Sequence, residues 1–291
     1  MKPSRSEFVA VHGLRYHCRI WGNADAPKLF MLHGWMDVSA SFQFLVDALR
    51  GDWRVIAPDW RGFGLTEWTN GGSYWFPDYF ADLDALLEHF QPAQPATLIG
   101  HSMGGNVAAM YAGIRPERAA KLVSLEGFGL AAAGPENAPK RYARWLAELA
   151  GEPPGFRDYE NFEALAERLC SNNRRLSRDK ALFLARHWGR QKPDGRVELA
   201  SDPAHKLVNP VLYRPEEAQA CWRRVVAPVL WVSGSETELP RAMKLSDAEL
   251  AARRECFGRL TERVIPGAGH MLHHDQPERL AGVIEEFLQV A

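Results

Sequence analysis

The chain reads Gly100-His101-Ser102-Met103-Gly104-Gly105 directly after the apolar run Ala96-Thr97-Leu98-Ile99. The apolar run predicts a buried strand and the residues that follow predict a helix, so the glycines lie in a sharp strand-to-helix turn. A side chain at Gly100 or Gly104 would crowd the neighbouring backbone, because such a turn brings two chain segments close together. A G-x-S-x-G turn of this kind exposes its serine, which makes Ser102 a candidate nucleophile.

The segments around this turn alternate between strand and helix patterns. Short apolar runs that predict strands lie at 8–11, 15–21, 28–32, 53–57, 121–125, 228–232 and 263–265. Helical spacing of apolar residues occurs at 41–50, 79–90 and 278–290. Such alternation is typical of an α/β fold, in which a mostly parallel sheet is covered by helices on both faces.

The alternation stops over residues 130–220, where only helical patterns and polar loops occur. We interpret this stretch as a helical cap inserted over the carboxyl ends of the strands. The predicted domains are therefore a core, formed by 1–129 and 221–291, and a cap, formed by 130–220. The arginines of the cap, Arg141 among them, are interpreted as a solvated helix face, although they could bind a substrate carboxylate.

Composition narrows the function classes. The 291 residues carry a formal net charge of −1, which favours neither nucleic acid nor a membrane surface as partner. The four scattered cysteines favour reduced thiols in a cytoplasmic protein, and no apolar run has the length of a membrane helix or secretory leader. No residue spacing indicates a metal, and no glycine loop indicates a cofactor. We expect a small-molecule partner and a monomer or homodimer.

A histidine late in the chain is the candidate base for Ser102. The segment Pro266-Gly267-Ala268-Gly269-His270 lies between the last predicted strand and the last predicted helix. A histidine in such a loop can reach the sheet edge, take the serine proton and return it to the leaving group. Taken alone, His270 is more simply a solvated loop side chain. Together with the turn at Ser102, it is predicted to be catalytic.

Attack on a carbonyl creates an oxyanion, which needs two N–H donors already aimed at it. One candidate is the backbone N–H of Met103, the residue after the nucleophile. The other is the backbone N–H of Trp35, just past the strand predicted at 28–32. We interpret His33, His101 and Asp59, which lie beside these segments, as structural residues that brace the turns.

The base also needs a carboxylate that fixes its tautomer and stabilises the imidazolium. Two predicted strand ends between Ser102 and His270 can supply it. The first ends in Glu126, and the second is followed by Glu236 and Glu238. A carboxylate that ends a buried strand is unusual without a function, because burying an unpaired charge is costly. Glu126 is the preferred acid, and the other two stay open as alternatives.

Four segments together carry a family resemblance. They are His33-Gly34-Trp35, Asp59-x-x-Gly62-x-Gly64, Gly100-x-Ser102-x-Gly104 and Gly269-His270. In this order, over the whole chain, they resemble the α/β-hydrolase superfamily. The run HGWMD at 33–37, with SF at 41–42, is most similar to its serine-hydrolase-like branch. The resemblance implies an eight-stranded sheet and a helical cap between its sixth and seventh strands.

The sequence departs from this family at one position. Most members place an aspartate three residues after the glycine that ends strand seven, and here Thr237 occupies that position. Some members, including one group of haloalkane dehalogenases, instead use a glutamate at the end of strand six. Glu126 matches that glutamate, so the resemblance implies a Ser-His-Glu triad in this chain.

A serine nucleophile with an oxyanion hole suits acyl transfer, such as the hydrolysis of esters, thioesters or lactones. Trp35, Met36 and Phe128 lie next to the predicted catalytic loops and predict a pocket for an apolar or aromatic acyl group. Two alternatives remain: a carbon–carbon bond hydrolase of the same fold, and a ligand sensor that hydrolyses its ligand slowly.

Overall fold

The computed structural model describes residues 1–69, 74–152 and 154–289. Its strands are β1 (Ser4–Val11), β2 (Leu14–Trp21), β3 (Lys28–Leu32), β4 (Arg54–Pro58), β5 (Ala96–His101), β6 (Ala119–Leu125), β7 (Gly189–Gln191), β8 (Val197–Leu199), β9 (Val229–Gly234) and β10 (Leu260–Ile265). Its α-helices are α1 (Gln43–Ala48), α2 (Phe76–Phe90), α3 (Met103–Ile114), α4 (Ala138–Ala150), α5 (Phe162–Asn172), α6 (Arg178–Trp188), α7 (Pro215–Trp222), α8 (Leu239–Ala242), α9 (Asp247–Arg254), α10 (Leu272–Asp275) and α11 (Pro277–Gln289). Single 3-10 turns occupy Ser39–Phe42, Pro116–Arg118, Pro135–Asn137 and Pro203–Lys206. The last residue of the helix predicted at 278–290 lies outside the described residues.

Eight strands form one sheet in the order β1-β2-β4-β3-β5-β6-β9-β10. Strand β2 runs antiparallel to both of its neighbours, and every other neighbouring pair is parallel. The carboxyl ends of β5, β6 and β9 lie side by side, because His101 pairs with Leu125 and Leu125 pairs with Val232. The predicted mostly parallel, eight-stranded sheet is therefore confirmed.

Helices cover both faces of the sheet, as the sequence predicts. Consecutive residues of β3 enter two different apolar clusters, since side chains along a strand alternate between faces. Phe30 joins the cluster that includes Leu83 of α2 and Val107 of α3. Met31 joins the opposite cluster, which includes Ile284 of α11. The inner strands β3, β4, β5 and β9 are thus buried along nearly their whole length, which explains their nearly continuous apolar sequences, whereas the edge strand β10 is largely exposed.

The segment between β6 and β9 contains the predicted cap helices and a small apolar cluster of its own, which includes Leu165, Leu184 and Val197. It also contains a hairpin, β7–β8, which was not predicted because its strands are only three residues long, too short for a periodic pattern to be recognised. Helix α7 packs on α3, and its residues Ala218 and Trp222 are buried in the main core. The core therefore resumes near residue 215, a few residues before the predicted boundary at 220.

Candidate active site

The turn around Ser102 has the strained geometry that its glycines predict. Ser102 adopts φ 51° and ψ −114°, a conformation that L-residues rarely occupy. A Cβ atom on Gly104 would lie 2.1 Å from the carbonyl oxygen of Leu32, and one on Gly100 would lie 2.3 Å from that of Gly104. The Ser102 N–H donates to the Leu125 carbonyl at 2.8 Å. The candidate nucleophile is therefore held against the end of β6.

Glu126 lies directly beyond that strand end, with its side chain fully buried. Its backbone also has a positive φ, 56°, which turns the chain at the end of β6. Oxygen Oε1 accepts a hydrogen bond from the Gly234 N–H at 2.7 Å, and Oε2 accepts one from the Thr237 hydroxyl at 2.5 Å. The same Oε2 lies 3.3 Å from Nδ1 of His270. Three groups from two other segments of the chain thus meet at the Glu126 carboxylate.

The two alternative acids lie elsewhere. Glu236 and Glu238 are both exposed, and Glu236 forms an ion pair with Arg175 of the cap. Between them, Thr237 turns its hydroxyl toward Glu126. The threonine at the usual aspartate position therefore supports the buried glutamate rather than replacing it. Sequence reasoning identified Thr237 as a departure from the family and missed this contact, because the partner lies 111 residues away.

His270 comes from the loop between β10 and α10. That loop lies directly on the end of β9, since a Cβ on Gly234 would be 2.3 Å from the Ala268 carbonyl oxygen. The ring of His101 donates from Nε2 to the His270 carbonyl at 2.8 Å and so fixes the loop beside the turn that carries Ser102. With Nδ1 facing Glu126, the free ring nitrogen of His270 is Nε2. Within the described residues, no hydrogen bond yet joins this ring to Ser102.

Two backbone N–H groups flank Ser102. Met103 is the first residue of α3, so its N–H has no acceptor within the helix. Trp35 follows Gly34, where a Cβ would lie only 3.2 Å from Cβ of Ser102. Both residues line the cavity into which Ser102 opens. The oxyanion hole at Trp35 and Met103 stays a prediction that fits this placement.

The cavity at Ser102 has a volume of about 270 Å³ and mostly apolar walls. Trp35 and Phe128, two of the predicted pocket residues, contribute to it, and Trp35 leaves 57% of its surface exposed. The third, Met36, lines a different cavity under the cap, next to Val38. Met36 has a φ of 58°, so the chain turns there and consecutive side chains diverge. Its placement in the substrate pocket is therefore not supported.

The predicted structural residues brace the loops around the site. His33 accepts the Trp60 N–H at Nε2, 2.8 Å away, and donates from Nδ1 to the Gly34 carbonyl. Asp59 accepts the Ser39 N–H and a hydrogen bond from the His17 ring at 2.7 Å. Burial alone would raise the pKa of Asp59, but the hydrogen bond from His17, the charges of His17 and His33 and the hydrogen bond from the Leu65 N–H together outweigh it and lower that pKa.

One group within the described residues has ligand atoms close enough together for a metal ion. Asp37, His101 and His273 are all buried, and one potential ligand atom of each lies within 4.8 Å of the others. The atoms Asp37 Oδ2, His101 Nδ1 and His273 Nδ1 have no hydrogen-bond partner. Sequence spacing could not reveal this cluster, because a loop after β3, the end of β5 and helix α10 assemble it from three distant parts of the chain.

The buried histidines beside the site are expected to make stability pH-dependent. Burial, and then the ring of His273, lower the pKa of both His101 and His274 well below the usual value. Both rings are therefore neutral in the folded protein, whereas in the unfolded chain they bind protons below about pH 6.5. The free energy of unfolding should fall as pH drops below that value, by ~1.4 kcal/mol per pH unit for each ring.

Urea unfolding at a series of pH values measures this slope. The matched variant is His274→Gln, whose amide can keep the hydrogen bond that His274 Nε2 shares with the Ser41 hydroxyl at 2.6 Å. We expect the slope below about pH 6.5 to decrease by ~1.4 kcal/mol per pH unit in this variant. An unchanged slope would contradict the assignment of His274 as a buried neutral ring.

No helix of the described residues is both long enough and apolar enough to cross a membrane. The four cysteines carry free thiols. Small-molecule binding is supported by the apolar cavity into which Ser102 opens, whereas the cytoplasmic location and the oligomeric state remain predictions.

Comparison with known proteins identifies the family. The family model described as the alpha/beta hydrolase fold matches residues 27–277. A serine hydrolase-like protein of Danio rerio is 29% identical, over 99% of this chain and 90% of its own length. A 3-hydroxybutyrate-oligomer hydrolase of Cupriavidus necator is 28% identical, over 94% and 92% of the two chains. Among solved structures, a thioesterase domain from the curacin biosynthetic pathway has a TM-score of 0.87 at 22% identity, over 98% and 99%. The chain belongs to the α/β-hydrolase superfamily, in its serine-hydrolase-like branch.

Proposed function

We propose that the protein hydrolyses carboxylic esters, or related thioesters or lactones, of small apolar or aromatic acyl compounds through an acyl-enzyme. The observation that carries this proposal is the buried Glu126 carboxylate beside Nδ1 of His270, at the strand end that also holds Ser102. That arrangement leaves Nε2 of the ring for proton transfer to and from a serine hydroxyl. The Cupriavidus necator relative, named as a hydrolase of 3-hydroxybutyrate oligomers, supports the assignment of hydrolysis.

In the first half of the reaction, Ser102 Oγ attacks the carbonyl carbon while its proton passes to Nε2 of His270. The carbonyl oxygen becomes an oxyanion, which accepts hydrogen bonds from the N–H groups of Met103 and Trp35. Each such donor raises kcat by about 10²–10³-fold. The intermediate then collapses, the bond to the alcohol breaks, and His270 gives its proton to the departing oxygen. The acyl group remains bonded to Ser102.

In the second half, water takes the place of the alcohol. His270 removes a proton from the water, the hydroxide attacks the acyl carbon, and the same two N–H groups receive the oxyanion. Collapse breaks the bond to Ser102 Oγ, which recovers its proton from His270. Glu126 lowers the activation free energy of both halves of the reaction, because its negative charge stabilises the imidazolium that forms in each.

The cavity accounts for the proposed acyl preference. Its walls combine Phe76, Phe128, Leu239 and Met243, and their apolar surfaces favour burial of an apolar or aromatic group. A volume of about 270 Å³ is near the lower end of the range for ligand pockets, which suits a small acyl group next to the nucleophile.

Stopped-flow hydrolysis of p-nitrophenyl butyrate tests the proposal and separates an enzyme from a ligand sensor. We expect a fast phase that releases up to one p-nitrophenol per protein chain, followed by steady multiple turnover. Parallel labelling with a fluorophosphonate and peptide mapping should place the adduct on Ser102. One slow equivalent without later turnover would instead favour the sensor. Absence of both hydrolysis and labelling would contradict the proposed function.

A further inference from the structure

A second cavity adjoins the one at Ser102. We name it the trough; its volume is about 450 Å³, and its walls include Trp75, Phe80, Met110, Arg141 and Tyr213. Phe76 and Leu130 belong to the walls of both cavities. Most of the exposed wall of the trough is apolar, so it offers an apolar chain a continuation of the space beside the nucleophile.

Helix α3 relates the two cavities in space. Met103, its first residue, lines the cavity at Ser102, and Met110, seven residues later, lines the trough. Seven residues of α-helix span roughly 10 Å. The trough therefore extends away from the nucleophile by about the length of two helical turns, farther than a butyryl group could reach.

Arg141 adds a positive charge to this apolar space. Its Nη1 atom donates to the Asn209 carbonyl at 3.0 Å, which holds the side chain against the opposite segment of the insertion. No carboxylate among the described residues forms an ion pair with Arg141. Arg214, the other arginine of the trough, is paired with Glu217 at 3.4 Å. The Arg141 guanidinium therefore has both free donors and an uncompensated charge.

We infer that the trough binds an extended apolar acyl chain whose far end carries a carboxylate, and that Arg141 holds this carboxylate. The inference rests on the proposed ester hydrolysis and specifies its substrate class: monoesters of dicarboxylic acids with a chain long enough to leave the cavity at Ser102. Apolar burial supplies affinity along the chain, at roughly fourfold per methylene. A guanidinium can donate two parallel hydrogen bonds to the carboxylate at the end of the chain.

Matched substrates test the charge requirement. The p-nitrophenyl monoester of suberic acid carries a terminal carboxylate, and the methyl ester of the same compound has the same chain without the charge. We expect kcat/KM for the charged compound to exceed that of its methyl ester by about 10-fold or more at low salt. The difference should shrink at high salt, because ions screen a partly exposed pair.

Arg141→Met keeps the apolar stem and removes the charge. In this variant kcat/KM for the charged substrate should fall roughly 10–100-fold relative to kcat/KM for the methyl ester and for p-nitrophenyl butyrate. Arg141→Lys should recover part of the loss. The matched control is Arg144→Met on the same helix, because Arg144 pairs with Glu148 and does not line the trough. Arg144→Met should leave kcat/KM for all three substrates unchanged.

Direct binding separates failure of this inference from failure of the proposed function. Calorimetry with the Ser102→Ala variant compares suberate monoamide with octanamide, neither of which needs to react. Tighter binding of the charged amide, lost when Arg141→Met is added, supports the trough assignment even if no ester is turned over. Equal binding of the two amides, or equal binding with and without Arg141, overturns it, whether or not the esters are hydrolysed.

Discussion

Replacing Ser102 with alanine is expected to abolish ester hydrolysis, with a fall in kcat of roughly 10⁵–10⁶-fold. The variant loses the only atom that forms the acyl-enzyme, whereas Glu126, His270 and the two backbone N–H groups keep their positions. Its fold should persist, because alanine adopts the same backbone as serine at no additional steric cost. Initial rates with p-nitrophenyl butyrate measure the loss, and circular dichroism checks the fold.

Ser102→Gly is the matched control for backbone strain. Ser102 adopts φ 51° and ψ −114°, and this conformation costs a residue with a Cβ atom of order 1–3 kcal/mol. Glycine should relieve part of that cost, so Ser102→Gly should be equally inactive but more resistant to urea than Ser102→Ala. Residual activity near the unmodified rate in either variant would remove Ser102 from the mechanism. Equal stability of the two variants would contradict the strain at the turn.

The sequence predicted the parts of the site that depend on local chemistry. The turn at Ser102 could be predicted because glycine is the residue that tolerates the close approach of Leu32 to Gly104. The buried strands could be predicted because a short apolar run bounded by turn residues is typical of a strand covered on both faces. Glu126 could be proposed because a carboxylate at a buried strand end needs a partner. In each case the physical constraint acts within a few residues.

The features of the fold and the site that the sequence did not predict depend on contacts between distant segments. Thr237 supports Glu126, and the backbone N–H of Gly234 fixes its other oxygen, but neither contact has a local signature. Met36 lines a different cavity because a positive φ turns the chain there, and methionine is not a residue type that indicates such a turn. Helix α7 belongs to the core because Trp222 packs there, although its sequence pattern resembles that of the cap helices.

Glu126→Gln is expected to lower kcat by about 10³–10⁴-fold, the effect of neutralising the acid of a serine triad. The amide no longer stabilises the imidazolium of His270. It also turns an N–H group toward either Gly234 or Thr237, both of which donate to the native carboxylate. The Thr237 hydroxyl can rotate to accept from this N–H group, but either the Gly234 N–H or the His270 Nδ1–H then loses its acceptor, so we also expect a loss of about 1–3 kcal/mol in the free energy of unfolding.

The alternative acids provide the controls. Glu236→Gln and Glu238→Gln alter exposed side chains, and neither touches the site, so each should change kcat by less than about twofold. Steady-state kinetics of the three variants with one ester shows which of the three carboxylates acts as the partner of His270. A small effect at Glu126 with a large one at Glu236 or Glu238 would transfer the role of the acid to the segment after β9.

A double variant distinguishes the charge of Glu126 from its structural role. The Thr237 hydroxyl already reaches the oxygen that faces His270, so a carboxylate introduced by Thr237→Asp would enter the same space from β9. We expect Glu126→Gln with Thr237→Asp to recover about 10-fold or more of the lost kcat, because the imidazolium regains a negative partner and the glutamine amide gains an acceptor. Thr237→Asp alone should be harmful, since it places two carboxylates in one buried site. Rescue in the double variant and damage in the single one would follow from electrostatics alone, as a merely structural role for Glu126 would make the two changes additive.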